Sequence, residues 1–150
     1  MIFGVSPTRD AVVIAHTTGA GAAFAIKSIT SIQFQARSGD DLTALLERLV
    51  VLFERSKGPH STIALFGSSS GRFKSSVEAI KSEAIIELAA ARSGLPVVKV
   101  AAASLKKVLG CATGQKWQAR AEERFNPAGR HKNWSKGAGG AAAAALKVAG

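Results

Sequence analysis

The chain has 150 residues, 47% of them hydrophobic and 20% charged, which is the composition of one globular domain large enough to bury a core. Its single cysteine, Cys111, excludes a disulfide framework and a cysteine-based zinc site. No apolar run approaches the ~20 residues that cross a bilayer, and no basic region precedes the first apolar stretch as in a secretory signal. We therefore expect a cytoplasmic protein without a membrane partner.

The net charge of +10 is unevenly distributed along the chain. Residues 72–136 hold thirteen of the twenty Lys and Arg residues but only five of the ten acids. A basic surface attracts phosphate backbones regardless of base sequence, by neutralising charge and releasing counterions. Solubility charge on solvated helix faces would produce the same excess. Both interpretations are open at this point.

The first part of the chain predicts three strands and one helix. Residues 2–16 have the pattern of a hairpin with a turn near Pro7, and residues 22–34 predict a third strand. Ser38 is an N-cap signal for a helix whose apolar stripe ends near Phe53. Gly58 and Pro59 then end this helix.

Residues 61–100 predict a strand, a helix and a second strand. The apolar run Thr62–Phe66 is typical of a buried strand, and residues 95–100 resemble the next one. Between them, residues 75–91 predict a helix with an apolar face formed by Val77, Ile80, Ala84, Ile85, Leu88 and Ala91. Such a unit normally forms a right-handed crossover between parallel strands.

The rest of the chain predicts helices. Residues 101–110 and 115–125 indicate two short helices, and the alanine-rich residues 138–148 indicate a terminal one. No repeat and no linker divides the chain, so we predict one domain over residues 1–150. The order of elements predicts an α/β fold: a mixed five-stranded sheet, with a three-stranded antiparallel meander plus two parallel strands, flanked by helices on both faces.

This order is that of the RNase H-like fold, and short motifs resemble its RuvC branch of Holliday-junction resolvases. The residues Ile2-Phe3-Gly4-Val5-Ser6-Pro7 are similar to the opening strand of that branch. Residues 95–100 and 103–108 resemble its fifth strand and the helix that follows. Residues 71–73 and 80–84 also resemble a small uncharacterised bacterial family of this fold, in which a Gly-Lys-Phe loop precedes a Phe-Lys-x-Glu-Ala helix.

The resemblance implies where a catalytic site would lie. Nucleases of this fold hold two divalent ions with three or four carboxylates from the first strand, the fourth strand and the last helix. Here Ser6 stands at the first position, Thr62–Phe66 contains no acid, and the last position falls among residues 137–140, which are glycine and alanine. We therefore predict no metal and no cofactor at these positions, and no nuclease activity of the ordinary kind.

Two acids allow a relocated site. Asp10 follows the first turn and Glu83 lies on the central helix. If their side chains converged over the sheet they could bind one Mg²⁺ ion, which would make the chain a divalent-metal-dependent nuclease. The simpler interpretation is that Asp10 is a turn residue and Glu83 a solvated helix residue.

The leading hypothesis is a non-catalytic protein that binds DNA or RNA through its basic half. Trp117 and Trp134 lie among the cations and could stack on exposed bases, although Trp117 is more typical of a core residue. The alternative from another class is a structural or assembly module, such as a homodimer, that pairs through a sheet edge or the terminal helix. The expected phosphate contacts are Arg72, Lys74, Lys106, Lys107, Lys116, Arg120, Arg124, Arg130, Lys132 and Lys136.

Overall fold

The computed structural model describes residues 1–67, 76–132 and 134–150, and in these residues five strands form one mixed sheet. The spatial order is β3–β2–β1–β4–β5. The first three strands form an antiparallel meander, and β4 and β5 run parallel to β1. The predicted sheet is confirmed. The strands are β1 (Ile2–Pro7), β2 (Ala11–Thr18), β3 (Ala25–Gln33), β4 (Thr62–Phe66) and β5 (Val97–Val100).

Helices cover both faces of this sheet. The first two pack on one face and the last three on the other. Short 3₁₀ turns occupy Gly21–Ala23, Ala102–Ser104 and Trp134–Lys136, so β3 begins three residues later than its sequence predicts. No helix of the described residues is long and apolar enough to span a bilayer. The helices are α1 (Gly39–Ser56), α2 (Val77–Arg92), α3 (Leu105–Leu109), α4 (Trp117–Phe125) and α5 (Ala138–Ala149).

The face under α1 and α2 is packed with large side chains. Alternate residues of the strands, among them Phe3 and Leu65, point toward α1, which buries Leu49 and Phe53 between the two layers. Helix α1 begins as predicted at Ser38, whose hydroxyl accepts a hydrogen bond from the Asp41 amide at 3.3 Å. The buried side of α1 is therefore the apolar stripe that the sequence pattern predicts.

The predicted apolar face of α2 is wrong. Val77 is 63% exposed, Ile80 and Leu88 are also exposed, and the helix instead buries Ile86 together with small residues. Small side chains let α2 lie close to its neighbours, and the buried Ser82 hydroxyl donates to the Ala79 carbonyl at 3.0 Å. A serine paired in this way costs little when it is buried. The sequence prediction followed the large apolar residues and therefore chose the solvent-facing side of α2 as its buried side.

The other face of the sheet is built from small residues. Ala15, Gly4 and Ala64 are paired across β2, β1 and β4, and they form a flat row beneath α5. A Cβ atom on Gly4 would overlap the carbonyl of Ala141, so helix and strand are in direct backbone contact. The residues of α5 from 138 to 146 are all buried. The terminal helix therefore packs inside the molecule, and the assembly hypothesis loses it as an accessible pairing surface.

Candidate nucleic-acid interface

A cleft of about 1290 Å³ opens at the carboxyl ends of β1 and β4. Its walls are the β1–β2 turn, the solvent side of β3, helix α4, residues 130–136 and the start of α5. Open α/β sheets bind ligands outside the carboxyl ends of their parallel strands. The topology therefore places this cleft where a ligand site of the fold is expected.

The three positions implied for metal-binding carboxylates meet on the floor of the cleft. A Cβ atom on Gly140 would lie 3.2 Å from Cδ1 of Phe66 and 3.5 Å from Oγ of Ser6. These residues present one hydroxyl, one aromatic ring and a backbone, whereas Mg²⁺ requires several oxygen ligands. The donors present here do not fit a two-ion centre. In the described residues, no group of three or more His, Cys, Asp or Glu side chains forms a metal cluster elsewhere.

Two aromatic side chains fill the space beside this floor. The Trp117 ring packs on the Phe66 ring, with centroids 5.4 Å apart and planes tilted by 57°. Trp134 is 8% exposed and lies against Gly139, where a Cβ atom would be 3.0 Å from Nε1. Both tryptophans thus hold the cleft wall in place. Trp117 keeps a half-exposed surface toward the cleft.

The two acids of the relocated site lie in different surroundings. Asp10 is exposed and lines the cleft, but Thr8, not Asp10, makes the side-chain bonds of this turn, with Ala11. Glu83 is mostly buried beside Gly67 and is absent from the described cleft lining. The Lys99 Nζ lies 3.8 Å from Glu83 and 2.6 Å from Glu87. The structure therefore does not bring Asp10 and Glu83 together in the cleft.

Lys99 on β5 forms ion pairs with two acids of α2. Its hydrogen bond to Glu87 and the charge of that carboxylate raise the pKa of Lys99, and Glu83 adds to the effect. The carboxylate of Glu83 faces a cation on β5. Glu83 therefore takes part in an ion pair. The sequence alone did not reveal this pair, because Lys99 is sixteen positions away from Glu83.

Cations from three separated parts of the chain surround the cleft. Four of the predicted phosphate contacts line it and are exposed: Lys116, Arg130, Lys132 and Lys136. Arg9, which sequence analysis missed, is the fifth. The sequence feature that could have identified Arg9 is its position just after β1, at the strand end where the cleft lies. Asp10 and Glu122 are the acids of the described lining, so cations are in excess.

The remaining predicted cations lie elsewhere. Arg120 donates from Nε to the Leu109 carbonyl at 3.1 Å and contacts Glu123 at 3.4 Å. Arg124 lies over the Phe125 ring at 5.4 Å. These two side chains connect α4 to its surroundings. Lys106 and Lys107 are exposed on α3 but do not line the cleft, and Arg72 and Lys74 fall outside the described residues.

The fold resembles solved structures of RuvC. No family model and no curated protein matches the chain. A structure of Thermus thermophilus RuvC superposes with a TM-score of 0.72 and 15% identity, covering 97% of this chain and 91% of that one. T. thermophilus RuvC in complex with a Holliday junction substrate gives 0.70 and 14%, covering 97% and 90%.

This likeness confirms the predicted RNase H-like fold and its RuvC-like arrangement. The identity is too low to transfer an activity. The further similarity to a small uncharacterised family stays a prediction, because it rests on motifs that no matching family model supports.

Proposed function

We propose that this protein binds nucleic acid without cleaving it, holding the phosphate backbone in the cationic cleft. The observation that carries the proposal is the convergence of Arg9, Lys116, Arg130, Lys132 and Lys136 on one cleft at the strand ends. Residues far apart in sequence supply these charges. Solubility charge alone gives no reason for this convergence.

Electrostatics support a polyanionic ligand. Five cations and two acids of the described residues line the cleft, and each neutralised phosphate releases condensed counterions. Binding through all five cations would make the logarithm of affinity fall with the logarithm of salt at a slope of about −4. The solved RuvC structure that holds a Holliday junction substrate shows that a protein of this fold can carry DNA.

The chemistry of the floor supports binding without cleavage. Ser6, Phe66 and Gly140 stand where carboxylates would be needed, and the Phe66 ring fills the space beside Gly140. Phosphodiester cleavage by two metal ions requires ligands that stabilise both the attacking and the leaving oxygen. The cleft therefore offers cations for phosphate contacts but no set of carboxylates for two metal ions.

The test is a titration with fluorescent single-stranded, duplex and branched DNA, followed by anisotropy at several salt concentrations. Replacing Lys116, Arg130, Lys132 and Lys136 by Gln should weaken binding at least about tenfold at 0.1 M salt and reduce the salt slope by about 3 to 4. The matched control replaces four exposed cations outside the cleft lining: Lys27, Arg37, Arg92 and Lys147.

Two results would contradict the proposal. Equal weakening by the control variant would show that net charge and not the cleft binds DNA, and absent binding at low salt would remove the function altogether. A Lys106→Gln and Lys107→Gln pair then tests whether the backbone continues over α3, as the sequence predicts.

The same samples, incubated with Mg²⁺ and run on a denaturing gel, test the non-catalytic part. Intact DNA is expected. Metal-dependent cleavage that Asp10→Ala abolishes would instead support the relocated acidic site, since Asp10 is the acid of that pair that lines the cleft.

A further inference from the structure

A second concave surface, here called the apolar groove, lies on the face of the sheet that the proposed function does not use. It has a volume of about 630 Å³ and runs between α1 and one side of β2 and β3. Its floor includes Phe3, Ile14 and Ile32, and its wall carries Arg48 and Arg55 of α1. Strand β3 thus separates two concave surfaces, because its other side forms a wall of the cationic cleft.

Strand β3 is also one edge of the sheet, and the two edges differ in how they are protected. Proteins usually blunt a sheet edge with a short strand, a lysine, a proline or a bulge. The other edge, β5, has four residues and carries Lys99, which pairs with acids of α2. In β3 the register shifts at Lys27, which has no partner residue in β2. Residues 28–33 follow this bulge and contain neither a charge nor a proline.

The hydrogen bonds of β3 show which backbone groups face outward. The Phe34 amide donates to the Asp10 carbonyl at 3.1 Å, so residue 34 points toward β2. In an antiparallel ladder this direction alternates from one residue to the next. The odd-numbered residues within 29–33 therefore point their amides and carbonyls away from β2. An independent contact agrees, because Nη1 of Arg48 reaches the outward carbonyl of Gln33 at 3.3 Å.

The side chains of the same segment alternate between the two concave surfaces. Even-numbered residues line the apolar groove and odd-numbered ones line the cationic cleft: Ser28, Thr30 and Ile32, and Ile29, Ser31 and Gln33. A strand added beside β3 would place its own side chains alternately on these two faces. One set would extend a largely apolar surface, and the other would lie on the side where cations are in excess.

We propose that residues 28–33 are a docking site for an extended segment of a partner protein, in which apolar and acidic side chains alternate. The outward backbone groups supply hydrogen bonds to the added strand, and the two faces select its side chains. Lys27 and Arg48 flank the segment, and Arg48 and Arg55 outnumber Glu47 on the groove wall, which favours negative charge. Six paired residues span about 20 Å. This interface is small, so we expect a dissociation constant on the order of tens of micromolar.

Amide hydrogen exchange tests the docking on the full chain. The probe is a fluorescein-labelled peptide of four Val-Glu repeats, added to isotope-labelled protein and followed by nuclear magnetic resonance. The outward amides of residues 29, 31 and 33 should exchange rapidly in the free protein and about tenfold or more slowly when the peptide is bound. The amides of residues 28, 30 and 32 point toward β2 and should change little.

Substitutions of Ser31 test the backbone hydrogen bonds. Ser31→Pro removes one outward amide and leaves the bonds between β2 and β3 in place, so it should weaken peptide binding about tenfold or more in fluorescence anisotropy. Ser31→Thr is the matched control, because threonine keeps the amide and suits a strand, and its affinity should stay within about threefold of wild type. Circular dichroism would confirm that both variants are folded. A peptide of four Val-Lys repeats tests the charge and should bind about tenfold or more weakly.

Three results would overturn the proposal. The first is equal binding by the proline and threonine variants, which would show that charge attraction alone holds the peptide. The second is slow exchange of the outward amides without peptide that becomes slower at higher protein concentration, which would mean that β3 pairs with a second copy of the chain. The third is unchanged exchange of these amides at about 0.5 mM peptide, well above the expected dissociation constant. These measurements involve no DNA, so they stand or fall independently of the proposed function.

Discussion

The two faces of the sheet are packed in opposite ways. Under α1 and α2 the layers are held apart by large side chains such as Phe3 and Leu49. Under α5 the layers come into backbone contact at Gly4, because Gly4 has no side chain and the alanines around it have only methyl groups. Removing side-chain volume should therefore destabilise the protein most at the first face, and adding side-chain volume should destabilise it most at the second.

This difference also shapes two concave surfaces of the molecule. Close packing draws the start of α5 into the strand ends, where Gly140 meets Ser6 and Phe66 at the floor of the cleft. On the face under α1 and α2, β2 and β3 stay partly uncovered, and the apolar groove lies beside α1. The size of the side chains between the layers, and not only surface charge, therefore differs between the face with the polar cleft and the face with the apolar groove.

Gly4→Val should have the largest effect of all substitutions considered. The new Cβ would overlap the Ala141 carbonyl, and backbone on both sides leaves nothing flexible to move. We expect a loss of more than about 4 kcal/mol in the free energy of unfolding, or no folded protein. Urea denaturation followed by circular dichroism measures it.

Gly39→Ala is the control for this substitution. A Cβ atom there meets nothing within 4 Å, and alanine in the first turn of α1 restricts the unfolded chain. Stability should be unchanged or up to about 1 kcal/mol higher. A folded Gly4→Val protein as stable as this control would contradict the close packing of α5.

Leu49→Ala tests the face that depends on volume. Leu49 is fully buried between α1 and the sheet, so truncation leaves a cavity and should cost about 3 kcal/mol. Val77→Ala removes an exposed side chain on α2 and should cost less than about 0.5 kcal/mol. Equal losses in the two variants would show that the sequence-based assignment of the buried side of α2 was right after all.

The sequence was sufficient for the fold because local patterns and the order of elements agree. Continuous apolar runs locate β1 and β2, and the Ser38 cap locates the start of α1. The rotation of α2 was not predictable in the same way. Its buried side is made by Ser82 and alanines, and which side faces the protein depends on how closely α1 approaches, a tertiary property.

The candidate site was only partly predictable for a related reason. Sequence density of charge selected Lys116 and Arg130, which line the cleft, but it also selected Arg120, which folds back onto the Leu109 carbonyl. It missed Arg9, which lies far from the other cations along the chain. Charge counts along a sequence do not report which residues the sheet topology brings to one edge.

The helices of the two faces also begin differently, and this gives a smaller prediction. Helix α1 has a reciprocal cap between Ser38 and Asp41, whereas α5 begins at Gly137 with no side-chain cap bond. Ser38→Ala should therefore cost about 1 kcal/mol. Ser38→Asp keeps an acceptor and should retain most of the stability in the same denaturation assay. If both variants lost the same stability, the loss would not come from the missing cap hydrogen bond.

The smallest expected effect is a pH dependence that arises at the apolar groove beside α1. His16 lines the groove together with Glu47, Arg48 and Arg55, and its ring stacks on Phe3 at 5.1 Å. Partial burial, and second the N-terminal ammonium charge, lower the pKa of His16 in the folded protein. The folded state therefore favours the neutral ring.

Because the folded-state pKa of His16 is lowered, its contribution to stability is present above the ordinary histidine pKa of about 6.5 and is lost as the pH falls through the lowered value. Denaturation midpoints of wild type and His16→Gln should differ more at about pH 8 than at about pH 5. A difference that grows on acidification would mean that the protonated ring is the stabilised form. The groove would then stabilise a positive charge on His16. Its apolar floor and its two arginines make that result unexpected.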